Sequence, residues 1–188
     1  MIDKEYKLVP EYCGTDFNKY YEDVLKDFKN IKTFFPLLNL TILPTLKPKE
    51  IYITGQLIPF EIIKSCTSKG NIKRKSLYIR AIYPSDYPEN QIVVEDIFKK
   101  INWKDVPNEH RHKRSYKDIE IICTHHPRGE INNLCTQDKS IAILHSAWSI
   151  YVQYKSYLKT GKWKLKELNH DYKDAIKQLK RIGQYYKK

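Results

Sequence analysis

The sequence predicts an α+β domain, and three observations predict it. Apolar residues recur at helical spacing early in the chain, at Phe17, Tyr20, Tyr21, Val24, Leu25, Phe28 and Ile31. From residue 51 to residue 123 the pattern changes to short alternating or apolar runs separated by proline and polar turns, as strands require. Helical periodicity then returns from residue 140 onward. Strands grouped between helices, rather than alternating with them, define the α+β class.

Taken in order, a charged lead over 1–14 precedes a helix over 16–32, which Thr15 or Asp16 is placed to cap. Pro36, Pro44, Pro48 and Pro59 then divide short apolar runs, and IYITGQLIPFEIIKS over 51–65 reads as strand. Residues 66–75, with Ser68, Gly70 and Asn71, read as a polar turn closing a hairpin onto the strand SLYIRAIYP. Tyr83-Pro84 and Tyr87-Pro88 hold the next segment extended, because proline fixes φ and restricts the residue before it. QIVVE reads as another strand. Residues 97–117 read as an inserted polar loop with one helical turn, in which His110 and His112 have no special task. IEIIC over 119–123 is apolar, and THHPRGEINNL leads irregularly to Cys135. A long helix over 140–158 turns Ile141, Leu144, Trp148, Tyr151, Val152 and Leu158 to the core, keeps His145 half-buried and ends at Gly161. A last helix over 168–182 places Leu168, Tyr172, Ile176 and Leu179 on one face and lysines on the other, within a basic segment 168–188.

A chain of 188 residues with 41% hydrophobic residues, 15 Tyr and 3 Trp has enough to bury to form one domain over 1–188, which excludes intrinsic disorder. The net charge is +12, and +8 of it falls in 155–188, where eleven Lys or Arg meet only Glu167, Asp171 and Asp174. Such a balance favours acidic partners: nucleic acid, an anionic membrane or an acidic protein. The opening MIDKEYKLVPEY carries charge where a signal peptide is apolar, so a cytoplasmic chain is expected. No apolar run approaches the ~20 residues that span a bilayer, so no membrane partner is expected. Cys13, Cys66, Cys123 and Cys135 then read as reduced thiols. No glycine-rich phosphate loop is present, and no cofactor is expected.

Chemistry concentrates at Cys123, His125, His126 and Cys135, and three readings stand side by side. Cys123 can be a small core residue at a strand end, with the histidines satisfying turn backbone. Thiolates and imidazoles also suit zinc, although C-x-H-H-x8-C matches no standard finger and needs a distant fourth ligand. Third, Cys135 can be a nucleophile, since it sits on a loop before a helix whose N-terminal dipole favours a thiolate.

In this order the motifs resemble the ubiquitin-conjugating (UBC-like) enzymes. Tyr83-Pro84-Ser85-Asp86-Tyr87-Pro88 matches the family's Tyr-Pro segment, His126-Pro127 its His-Pro turn, and Cys135, nine positions after His126, its catalytic cysteine. The resemblance covers most of the chain beyond the first 15 residues. It implies a UBC-like fold, with an N-terminal helix, an antiparallel meander, an active-site loop and closing helices. It also implies acyl transfer: Cys135 takes a donor protein's C-terminus as a thioester and passes it to an amine, with His126 bracing the turn. His125 would be a proton acceptor or oxyanion donor. The family's His-Pro-Asn is here His126-Pro127-Arg128, so the oxyanion Asn is absent, and Asn132, Asn133, His125 or backbone N–H groups would supply that donor.

These departures are similar to divergent prokaryotic members, above all the stand-alone conjugating enzymes of bacterial anti-phage systems that make cyclic oligonucleotides (type II CBASS). By that resemblance the donor is a cGAS-like nucleotidyltransferase, with an activating enzyme as a second partner. The alternatives are an inactive UBC- or RWD-like scaffold and a basic protein that binds polyanions. Charge runs are more often solvated faces, and no nucleic-acid-reading motif is present, so nucleic acid ranks below the enzyme reading.

Overall fold

The computed structural model describes residues 15–41, 51–124 and 136–163. It is a mixed α+β arrangement: helix α1 (Thr15–Phe34), a six-stranded antiparallel sheet, and a long helix α4 (Thr136–Thr160). The strands are β1 (Leu38–Thr41), β2 (Ile51–Leu57), β3 (Leu77–Tyr83), β4 (Val93–Asp96), β5 (Lys113–Tyr116) and β6 (Ile119–Ile122). They lie in the order β1-β2-β3-β4-β6-β5, with Ile53 opposite Leu40 and Ala81 and Ile79 opposite Gly55.

Alternation along β2 and β3 turns Ile51, Ile53, Leu57, Leu77, Ile79 and Ala81 to one face, where each is fully buried. That face is covered by the apolar stripe of α1, carried by Val24, Phe28 and Ile31, and by Ile143, Leu144 and Ala147 of α4. The opposite face carries Tyr52, Thr54, Tyr78 and Arg80, all only partly covered. There Arg80 pairs with Glu95 of β4 at 2.7 Å. Lys32 closes the turn from α1 into β1 by donating to the carbonyls of Pro36 and Leu38 at 2.7 and 2.8 Å.

Four expectations need correction. The strand expected through residue 65 stops at Leu57, and Phe60–Lys64 is a short helix α2. Pro59 starts it, because its carbonyl accepts from the N–H groups of both Ile62 and Ile63. The expected polar turn contains a second short helix, α3 (Lys69–Lys75), whose Ser68 cap accepts from the Asn71 N–H at 3.3 Å. Segment 97–117 is not simply a polar loop: Ile101, Trp103 and Val106 are buried, two 3-10 turns cover 103–105 and 108–110, and β5 follows. In α4, Leu158 is half exposed, whereas Ile143, Ala147, Ile150 and Tyr154 are buried. The helix lies against both α1 and β4, so its buried arc is wider than one stripe.

Other expectations agree with the structure. Gly161 ends α4 in the left-handed region at φ 64°, its N–H donating to the Tyr157 carbonyl at 2.8 Å. His145 packs its ring against Phe35 with centroids 4.7 Å apart. The lead 1–14, the turn 125–135 and the basic segment 168–188 lie outside the described residues.

Candidate functional site

Of the nominated residues, His125, His126 and Cys135, together with Asn132 and Asn133, lie outside the described residues. Both ends of their segment are described. On one side β6 runs out through Cys123, whose N–H donates to the His112 carbonyl at 2.8 Å, to the buried Thr124. Cys123 is only partly covered. On the other side α4 begins at Thr136, directly after Cys135. Among the described residues no group of three or more His, Cys, Asp and Glu is arranged to hold a metal ion.

Among the described residues the structure builds a buried polar cluster from three elements. The Tyr-Pro segment leaves the end of β3, and Tyr83 and Tyr87 pack edge to face with ring centroids 4.8 Å apart. The Tyr83 hydroxyl donates to Asp27 Oδ2 of α1 at 2.5 Å. Tyr20, two turns earlier on the same helix, donates to the Tyr83 carbonyl at 3.1 Å and accepts from the Ile51 N–H at 3.2 Å. From α4, the buried Ser140 completes the set, and its hydroxyl and that of Tyr87 lie close enough to Asp27 to favour its ionised form weakly. Oδ1 of Asp27 itself receives no hydrogen bond from the described residues.

The cluster's electrostatics follow from burial. Asp27 is 1% exposed, and desolvation pushes its carboxyl up to about 6 against the pull of the three hydroxyls. Burial, reinforced by the neighbouring Asp27 carboxylate, raises both the Tyr83 and the Tyr87 phenols. Both tyrosines therefore stay protonated, and Tyr83 donates to Asp27, whereas the Tyr87 hydroxyl is buried with no hydrogen-bond partner among the described residues. The cluster can orient the Tyr-Pro segment and the first turns of α4, and it can hold one proton near neutral pH on Asp27.

Asp27 and Ser140 are not among the residues nominated from sequence, although the sequence carries a signal for both. Asp27 falls with Val24, Phe28 and Ile31 at i, i+3, i+4 and i+7 spacing, and Ser140 falls likewise with Ile143, Leu144 and Ala147. A polar residue on an apolar stripe must find a partner inside the core.

A second feature lies across the sheet. β4 and β6 pair at Val94 and Ile122. Near them lies a cleft of about 260 Å³ lined by Glu95, Asp96, Trp103, Asp118 and Glu120 among others. Glu95 and Glu120 are already paired with Arg80 and Lys113.

No family model, no curated protein and no solved structure matches the chain. The fold and this cluster define a mixed α+β chain with an antiparallel six-stranded sheet backed by two helices. Among the described residues no helix is long and apolar enough to cross a membrane.

Proposed function

We propose that this chain is a UBC-like acyl transferase that carries a donor protein's C-terminus as a thioester on Cys135 and passes it to an amine. One observation carries the reading. The Tyr83 hydroxyl ties the start of the Tyr-Pro segment to Asp27 of α1, and Ser140 of α4 lies close to the same carboxylate, so the segment packs near the helix that follows Cys135 in the chain. The chain order of helix, meander, Tyr-Pro segment, His126-Pro127, Cys135 and helix also supports it.

In this mechanism the Cys135 thiolate attacks the activated acyl carbon and expels the activating group. An incoming amine then attacks the thioester, gives its proton to a base and releases the thiolate. The start of α4 favours the thiolate form. His126 braces the turn, and His125 takes the amine's proton or steadies the oxyanion in place of the absent Asn. The donor by this reading is the C-terminus of a cGAS-like nucleotidyltransferase in an anti-phage (CBASS) setting, loaded by an activating enzyme, within the cytoplasm. The test is incubation with donor, activating enzyme and ATP, followed by non-reducing electrophoresis. A band shift that thiol reductant removes, and that Cys135→Ala abolishes, is the expected result. No reductant-sensitive shift, or one that survives Cys135→Ala, would contradict the reading.

A further inference from the structure

Folding gathers cations that the sequence scatters. α3 carries Lys69, Lys73, Arg74 and Lys75 with no acid, and Lys73 and Arg74 are exposed. Its end is fastened to α4, where Trp148 Nε1 donates to the Lys75 carbonyl at 3.2 Å and the Tyr151 hydroxyl donates to the Arg74 carbonyl at 3.4 Å. Lys100, from the turn after β4, donates to the Ser76 carbonyl at 3.2 Å and stands 6.0 Å from the Tyr151 ring. Lys155 follows Tyr151 by one helical turn and so emerges on the same face of α4. Lysines from three separate elements thus converge at one end of the sheet. Lys73 and Lys155 lie near enough to Lys100 to oppose its charge, with Asp96 the acid facing it.

An exposed aromatic lies in the same turn. Phe98 is 63% exposed and rests against Tyr78 on the open face of the sheet, with ring centroids 5.1 Å apart. The next residue, Lys99, is exposed and held in the left-handed region at φ 48°, a conformation that costs a non-glycine residue energy. Core packing does not account for a phenylalanine left 63% exposed two residues before Lys100. A flat apolar ring for bases beside cations for the backbone is the combination that single-stranded nucleic acid requires. A duplex, whose bases are already stacked, has no use for the ring.

We propose that α3, Lys100, Lys155 and Phe98 form a binding surface for single-stranded nucleic acid, with the cations on phosphates and Phe98 under a base. The surface uses none of the residues nominated for acyl transfer and stands or falls independently of it.

The experiment is fluorescence anisotropy of the full chain with labelled oligo-dT of twenty bases, a duplex of the same length and labelled poly-glutamate, over a series of salt concentrations. The single strand should bind more tightly than either competitor. The double variant K73E/R74E should lower the magnitude of the salt slope by about 1.4, at about 0.7 for each phosphate left without its cation. Phe98→Ala should weaken binding roughly five- to 150-fold, the worth of one stacked base. K113E/R114E, on the exposed basic strand β5, should leave affinity within about twofold, and unchanged thermal melting of each variant shows that the fold is intact. The proposal is overturned if oligo-dT does not bind at low salt, if poly-glutamate or duplex binds as tightly, if K113E/R114E weakens binding as much as K73E/R74E, or if Phe98→Ala has no effect.

Discussion

Asp27 and His145 titrate in opposite senses across one pH window, and separating them tests the electrostatics of the buried cluster. Burial raises the Asp27 carboxyl from 3.8 to about 6, so between those values the folded chain holds a proton that the unfolded chain has released. The resulting stability is present below the unfolded value and is lost as the pH rises through 6. A shift of about two units corresponds to about 3 kcal/mol. His145 behaves inversely. Its Nδ1 is sealed from water with no hydrogen-bond partner among the described residues, although one side of the ring remains partly accessible, and burial lowers it from 6.5 to about 4. Its stability is present above 6.5 and is lost as the pH falls through 4, by up to about 3 kcal/mol. In the parent chain the two slopes nearly cancel.

Asp27→Asn keeps an acceptor for the Tyr83 hydroxyl and removes the charge. In urea unfolding followed by tryptophan fluorescence, its stability relative to the parent should fall by about 3 kcal/mol between pH 7.5 and pH 4. For His145→Phe the difference should change by a similar amount in the opposite direction, whatever constant packing difference the larger ring introduces. A difference that stays flat with pH in either variant would mean that burial does not shift that group's titration.

Two further predictions concern packing. Gly55 has φ 139°, and a Cβ there would sit 2.4 Å from the Leu37 backbone oxygen, so Gly55→Ala should cost about 2 to 4 kcal/mol in the same unfolding assay. Cys123→Ala, at the partly covered end of β6, should cost about 1 kcal/mol and leave the reductant-sensitive band intact; loss of the band would mean that Cys123 carries the chemistry.

The legible parts of the fold are those written as periodicity. Val24, Phe28 and Ile31 announce α1, the alternation from Leu77 to Ile82 announces β3, and Gly161 announces the end of α4. Helices α2 and α3, of five and seven residues, are too short to show a period and are set by local capping at Pro59 and Ser68. β5 is hidden because its Lys-Arg-Ser-Tyr sequence is polar on both faces, as an exposed edge strand permits. The Tyr-Pro segment is recognisable as a motif, but its anchorage is not, since Asp27 lies 56 residues away from Tyr83. Contacts between distant segments leave only indirect traces in a single sequence. The convergence of Lys73, Lys100 and Lys155 is invisible for the same reason.

Acyl transfer as proposed puts the acyl group on Cys135. The most direct measurement is to express Cys135→Ser in the native host, purify it under denaturing conditions, and record its intact mass with peptide mapping. A serine there would hold a transferred acyl group as a longer-lived oxyester. The expected result is an added mass on residue 135 that mild base removes and whose tryptic remnant is a protein C-terminus. An unmodified residue 135 in cells that express the donor and the activating enzyme would contradict it.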